Sequence, residues 1–447
     1  MEGEEADLPA HTRLPGGSVL STFTADAVDQ LRGPTWLQHR RTRAFERFST
    51  TPLPTVEEEV WRYSRIPELD LGAYRPHTGA PSGEAVPDGL QPVLDTVEER
   101  AALVVVHNGS VVHVDVDPNA AAAGLEVGRL ADLDPEGAAL GTVTGEANGA
   151  FSLLHDAFVA DPVLVRVRPG LVVDAPVVVL HWTDGTGLAT FPHLVVQAGD
   201  DSEVVVYDHS GSADVDALVL PVVELAAAPA SRLRYVNAQL LGQRVWQLGR
   251  QLSRGERDAR LSTSMVALGG GYARLEVEST LAGRGASGEM LAVYFGEGNQ
   301  MHDFRTLQDH EAPKTMSDLL FKGAVQGRSR SVYTGMIHIG KQAAGVDAFQ
   351  TNRNIKLSDG AWAESVPNLE IENNDVRCSH ASAVGPVDED QRYYLESRGV
   401  PPARAERLIV LGFFEDVLER LPVPAAVPAL RSEITAKLDR RDVEVAR

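Results

Sequence analysis

Cysteine is nearly absent, with Cys378 the only one in 447 residues. One thiol makes no disulfide within the chain and closes no all-cysteine metal site by itself, so metal chemistry here needs other ligands or a second chain. Long apolar runs are missing too. No stretch approaches the roughly 20 residues a membrane helix requires. The opening MEGEEADLPAH has neither the basic nor the apolar part of a secretory signal, and a cytoplasmic protein is the expectation. Basic residues are in deficit, 41 Lys and Arg against 63 Asp and Glu, for a formal charge of -22. Such acidity repels a phosphate backbone and argues against nucleic-acid binding. The exception is local: residues 313–356 carry seven basic side chains against two acidic ones, read as a solvated sheet face.

What is there is size and texture. With 43% hydrophobic residues the chain supports a large core and more than one structural unit. Residues 1–17, acidic and then Pro/Gly-rich, read as a disordered tail. Residues 18–73 read as an N-terminal helical unit, because Val28, Leu31, Trp36, Leu37, Phe45 and Phe48 recur at helical spacing. Residues 74–95 are dense in Pro, Gly and Ser and read as a linker.

Residues 96–384 form the main body. Short β-type runs follow one another there, among them LVVV at 103–106, VVHVDV at 111–116, VLVRV at 163–167 and EVVVY at 203–207, with almost no helical period between them. A span of strand after strand this long exceeds an ordinary sandwich and suits a solenoid, a propeller or two stacked sheets. A β-helix is favoured, since stacked coils let each short strand pair above and below, although no fixed repeat length is visible. Residues 385–447 return to helix. Asp388 three residues before Gln391 marks a start, Gly399 a stop, Pro401 and Pro402 the next first turn, and Leu430, Ile434 and Leu438 a last helix. The middle helix, with Leu408, Phe413, Phe414 and Leu418, is apolar on more than one face and needs partners on two sides.

Several motifs carry chemistry. Gly335 to Lys341 has the spacing of a phosphate loop, but Gln342 stands where a magnesium-binding Ser or Thr belongs and the run reads as a strand ending in a glycine turn. Asp200 and Asp201 sit in GDDSE and read as a turn, not a sugar-cleaving pair. His302, His310 and His338 form one constellation. They read as structural strand or turn residues, with a metal-dependent hydrolase on a β-helix as the alternative function. Cys378 and His380 form a C-x-H pair that alternation aims at one side of a strand. Thiolate and imidazole suit iron, zinc and copper(I), but two ligands are half a site, and an inert buried cysteine is the competing reading.

From His302 to Phe414 the sequence resembles the SufB/SufD family of iron–sulfur cluster assembly scaffolds. The resemblance is carried by HDFRTLQDHEAPKTMSDLLFKGAVQGRSRSVYTGMIHI, FQTNRN and PNLEIENNDVRCSHASAVGPVDEDQRYYLESRGV in succession, with PTWLQHRR and PLPTVEEEVWRYSRI ahead of them. One cysteine, DVRCSHA and YYLESRG place it on the SufD side. The resemblance implies a right-handed parallel β-helix between helical ends and a scaffold subunit that is not itself an enzyme. It also implies pairing with a SufB-like paralogue through the β-helix, and docking of a SufC-like ATPase on the C-terminal unit, with Tyr393, Tyr394, Arg398, Gly399, Phe413 and Phe414 as candidate contacts. A homodimer is the state open to the isolated chain. No cofactor is expected to stay bound; a cluster would pass through transiently at the SufB interface. His380 matches the family position assigned to cluster assembly and metal, with Cys378 beside it, while Ala381 departs from the glycine common there.

Overall fold

The computed structural model describes residues 22–79 and 86–445, so the tail at 1–17, the first residues of the N-terminal unit, part of the linker and the last two residues lie outside it. Nine helices are described: α1 (Ala25–Asp29), α2 (Thr35–Phe48), α3 (Gln91–Leu94), α4 (Pro118–Ala123), α5 (Leu130–Leu133), α6 (Ala150–Phe158), α7 (Glu389–Ser397), α8 (Pro402–Leu418) and α9 (Val427–Val445). The strands begin with β1 (Arg75–Pro76), β2 (Ala102–His107), β3 (Ser110–Val116), β4 (Leu125–Arg129), β5 (Val163–Val167), β6 (Val177–Thr183), β7 (Leu188–Thr190), β8 (His193–Ala198), β9 (Glu203–Ser212), β10 (Ala217–Val219) and β11 (Val222–Ala227). They continue with β12 (Arg232–Leu240), β13 (Val245–Gly255), β14 (Arg260–Ala267), β15 (Tyr272–Leu281), β16 (Ser287–Gly296), β17 (Met301–His310), β18 (Met316–Val325), β19 (Arg330–Ile339), β20 (Val346–Lys356), β21 (Trp362–Ile371) and β22 (Val376–Gly385).

From β5 onward the strands build two parallel sheets in alternation, except that the short β7 and β10 also join the first sheet. One runs β5-β8-β11-β13-β15-β17-β19-β21 and the other β6-β9-β12-β14-β16-β18-β20-β22. This is a parallel β-solenoid, as the strand density implies, and alternation along each strand sends every second side chain into the space between the sheets. Coil length varies, which explains why no repeat is visible in sequence: Tyr272 pairs with Met301 and Met301 with Arg330, each 29 residues on, but Arg330 pairs with Trp362, 32 residues on. Early coils are filled by Val165, Val177, Val179, Val196, Val204 and Val206. Later ones hold Met290, Tyr294, Phe304, Phe321 and Tyr333.

The first coil is covered. β2 pairs with β3 as an antiparallel hairpin, and β4 lies antiparallel on β5. The near-absence of helix expected across this region is corrected by α4, α5 and α6. α4 starts on Asp117, whose carboxylate accepts from the amides of Asn119 and Ala120, with Pro118 at the first helical position. α6 is almost wholly buried, so it lacked the polar face that makes a helix visible by periodicity.

The N-terminal helical unit holds two helices, α1 and α2, separated by Gly33, at φ +149°, and Pro34. α2 buries Leu37, Ala44 and Phe48 against α6 and the outer face of the first sheet. Its Arg41 is fully enclosed and donates to the carbonyls of Val159 and Ala160 at the end of α6, both at 2.8 Å. Much of the linker stretch also packs on the body: Arg75 and Pro76 pair with β7, and Leu90 joins the apolar layer outside the second sheet.

That layer is completed by α8 and α9, through Val410, Phe414, Val417, Leu430, Ile434 and Leu438. Charged ties reinforce it. Lys322 on β18 donates to the Phe413 carbonyl at 3.0 Å and to Asp416 at 2.7 Å, and the enclosed Lys437 donates to Glu297 at 3.2 Å and Gln300 at 2.8 Å. α7 begins as its capping residue indicates, with Asp388 Oδ1 accepting from the amides of Asp390 and Gln391, and Gly399 follows it at φ +83°. No described helix is long and apolar enough to cross a membrane.

Candidate functional site

The solenoid stops without a lid among the described residues. β21 and β22 each pair on one side only, with β19 and β20, and their other edges face outward. On these strands the side chains that line the space between the two sheets are left uncovered at the end of the solenoid. The exposed apolar atoms of Leu369 (38%), Ile371 (43%) and Val384 (41%) lie in these inward-pointing rows.

Cys378 and His380 occupy the same row of β22. Cys378 sits in register with Ala348 and His380 with Gln350, both buried on β20. The pair therefore does share one side, as the C-x-H spacing indicates. Their surroundings differ. Cys378 is half-buried against Ile337, Ile339, Ala343, Val346 and Ala348, and burial pushes its thiol pKa up, which favours the unreactive protonated form. His380 is exposed, and its ring makes no hydrogen bond to a described residue. An imidazole so placed can offer a nitrogen to metal brought by another chain, but nothing else on this strand completes a ligand set.

The other three histidines do not converge. His302 and His310 both lie in the inward row of β17, at its two ends, roughly 26 Å apart at 3.3 Å per residue. His302 Nε2 bonds the Gly269 carbonyl at 3.1 Å, and burial holds its pKa down at about 3. His310 is held by Thr315 Oγ1 at 2.7 Å and Ser317 Oγ at 2.8 Å and is pushed down to about 4, again chiefly by burial. His338 is on the outer face of β19, with Nδ1 2.6 Å from Asp309 Oδ1, a hydrogen bond that raises its pKa. Three rings on two faces make no hydrolytic centre. Lys341, the lysine of the loop-like spacing, is exposed at the end of a strand, and Asp201 lies in a turn at φ +53°.

Of the candidate docking residues, Phe414 is fully buried against Phe295 and anchors α8 instead of facing outward. Phe413 is half-buried, with Lys322 Nζ 4.9 Å from its ring centre. Tyr393 (73% exposed), Tyr394 (55%), Arg398, stacked on Tyr394 at 4.5 Å, and Gly399 are all at the surface of α7.

One cluster escaped the sequence. His155 on α6, His193 on β8 and Glu224 on β11 form a buried chain across the outer face of the first sheet. His155 Nδ1 bonds the Leu220 carbonyl at 2.7 Å, its Nε2 lies 2.9 Å from His193 Nδ1, and His193 Nε2 lies 2.9 Å from Glu224. A carbonyl only accepts, so His155 donates from Nδ1, and His193 bridges His155 and Glu224 through its two ring nitrogens. Glu224 also accepts from the amides of Gly141, Val143 and Thr144, and its pKa is lowered to about 2 as the bonds to His193 and these amides outweigh burial. With Asp156, these histidines have metal-like spacing, but every ring nitrogen is taken and Asp156 is paired with Arg40 at 2.8 Å. The cluster fastens α6 and the 141–144 loop to the solenoid. Residues so far apart in sequence gave no motif by which to find them.

Comparison with known proteins finds a family and relatives that span most of the chain. Residues 181–413 match the family model described as SUF system FeS cluster assembly, SufBD core domain. An iron–sulfur cluster assembly SufBD family protein of Mycobacterium tuberculosis is 32% identical over 416 residues, covering 90% of this chain and 93% of the relative. A Mycobacterium leprae member is 30% identical, covering 87% and 90%. The iron–sulfur cluster assembly protein SufD of Bacillus subtilis is 26% identical over 435 residues, covering 94% and 98%.

Proposed function

The chain belongs to the SufB/SufD family of the SUF iron–sulfur cluster assembly system, as a SufD-type member, and from that premise we propose that it works at its open end, paired with a SufB-like paralogue. The observation that carries this reading is the uncovered last coil, where two unpaired strand edges, exposed apolar side chains and His380 lie together. Free strand edges bearing apolar side chains are a liability in a protein that stays alone, and another chain's strands are their natural cover. His380 then faces the join and supplies one ligand to a cluster whose other ligands come from the partner. Cys378, protonated and half-enclosed, packs beside it on the same strand. The cluster is cargo, held during assembly, and no resident cofactor belongs to this chain.

α7 and α8 offer a second contact surface, through Tyr393, Tyr394 and Leu408, for a SufC-like ATPase. In this reading the ATPase activity is that partner's. Its ATP-driven dimerisation pulls on the C-terminal helices, and Lys322 and Lys437 pass the displacement to the solenoid. The cytoplasm is the compartment that fits an unpaired cysteine and such partners. Without the paralogue, the same end is available to a second copy of this chain.

The test is co-expression with a SufB-like paralogue and a SufC-like ATPase, followed by anaerobic reconstitution with iron and sulfide. Wild type is expected to form the complex and carry a cluster, while His380→Ala forms the complex and loses the cluster. Normal cluster yield in the variant removes His380 from the mechanism. Failure of the wild type to associate with either partner overturns the whole reading.

A further inference from the structure

Directly beneath His380 lies a side chain whose hydrogen bonding is left unfinished. Gln350 is 1% exposed, and both its Nε2 and its Oε1 are enclosed with no partner in hydrogen-bonding geometry among the described residues. Its neighbours in the row are not like this. Asn352 Nδ2 donates to the Tyr294 hydroxyl at 2.9 Å, Tyr294 donates to Asn354 Oδ1 at 2.8 Å, and Asn354 Nδ2 donates to Asn352 Oδ1 at 2.8 Å. The Tyr333 hydroxyl stands close enough to Gln350 to interact with it, but its own good hydrogen bond is with Thr306 Oγ1 at 3.0 Å. A buried amide with both ends unpaired is costly and uncommon, and it points to a partner that arrives in another state.

The chain also keeps room for that amide. A Cβ on Gly335 of β19 would stand 2.0 Å from Gln350 Nε2 and 2.3 Å from the Tyr333 hydroxyl. Gly335 opens the run whose spacing imitates a phosphate loop, and here its missing side chain makes space for Gln350. On the other side, parallel in-register pairing stacks Gln350 on His380, one strand spacing of about 4.8 Å away. Both ring nitrogens of His380 lack a described partner. An unpaired amide and an unpaired imidazole thus share one row at the open end.

We propose that Gln350 is the positioning residue of His380. When a second chain covers the last coil, Gln350 Oε1 accepts a hydrogen bond from the N–H of one ring nitrogen, and the other nitrogen turns its lone pair toward the join. A histidine that binds metal is usually oriented and fixed in one tautomer through its second nitrogen in this way, and no carboxylate or carbonyl bonded to His380 is available to do it. The inference rests on the reading that His380 serves cluster assembly.

The test uses the full chain in complex with its paralogue, as wild type, Gln350→Leu, Gln350→Glu, Gly335→Ala and His380→Ala. Cluster yield is read by absorption. The ring tautomer of His380 is read by solid-state 15N spectra of a complex labelled at histidine in this chain alone, with His380→Ala identifying the signal. Gln350→Leu is expected to lower yield about tenfold and to mix the tautomers, with no loss of thermal stability because an unpaired buried amide is removed. Gln350→Glu retains an acceptor and is expected to stay within about threefold of wild type. Gly335→Ala, which displaces the amide, should lower yield and mix the tautomers as Gln350→Leu does, beyond any fall in melting temperature from the added methyl. Wild-type yield and tautomer in Gln350→Leu would overturn the inference, as would a loss of yield explained by a fall in melting temperature in all three variants. If His380→Ala itself gives normal yield, the underlying reading falls; if only His380→Ala fails, the inference alone falls.

Discussion

Two histidine sites, one toward each end of the solenoid, are held in opposite ways. At the beginning, where the β2–β3 hairpin, β4 and α6 close the first coils, His155 and His193 are buried and every ring nitrogen is bonded. At the finish, where β21 and β22 have no covering strand, His380 is exposed and unbonded above an unpaired Gln350. A satisfied network rigidifies and has nothing left to give. An unsatisfied one is unfinished until something docks. The contrast separates structure from function better than residue type, since by ligand chemistry alone the buried cluster is the more metal-like of the two.

The largest effect should come from breaking the closed end. Glu224→Ala leaves the buried His193 ring without its carboxylate partner and the amides of Gly141, Val143 and Thr144 without an acceptor. It is expected to cost about 3–5 kcal/mol in denaturant unfolding. If the loss is under about 1 kcal/mol, in the range of a surface pair, the closed end is not held by this network.

Acid should act next, through rings kept neutral by burial. His209, buried on β9, and His310 have pKa values near 4 and His302 near 3, while the unfolded chain protonates near 6.5. Between about pH 6.5 and 4 the unfolded state binds protons the folded state refuses, so stability falls as pH drops, by about 1.4 kcal/mol per pH unit for each histidine. Glu224 works in a lower window. With its folded pKa near 2, its contribution persists to about pH 4.5 and is lost below that. Urea unfolding at stepped pH checks both, and flat stability from pH 6.5 to 4.5 would contradict the burial of these rings.

The smallest effect is expected at the outer surface. His338→Asn removes a partly exposed pair with Asp309 and should change stability by less than about 1 kcal/mol, with no loss of assembly. A loss of cluster formation in that variant would restore a chemical role to a residue assigned here only a structural one.

Much of this contrast was legible in the residues, though unevenly. Runs such as VLVRV and EVVVY revealed the strands, and Asp388, Gly399 and Pro402 revealed the C-terminal helices, because local propensity and capping chemistry agree there with the final fold. The coil repeat stayed hidden because its length drifts, and α6 stayed hidden because burial on nearly all sides erased its polar face. The C-x-H pair was visible, since two residues on one strand are near in sequence and in space. His193 and Glu224, 31 residues apart, and Gln350 beneath His380, 30 apart, come together only through coil stacking, and no local pattern records that.

Hydrogen exchange of the full chain, alone and with its SufB-like paralogue, tests the central claim most directly. The account predicts new amide protection at Trp362–Ile371 and Val376–Gly385 when the paralogue is present, with β2 and β3 unchanged. Protection gained at the closed end, or none at β21 and β22 in a complex known to have formed, would contradict it.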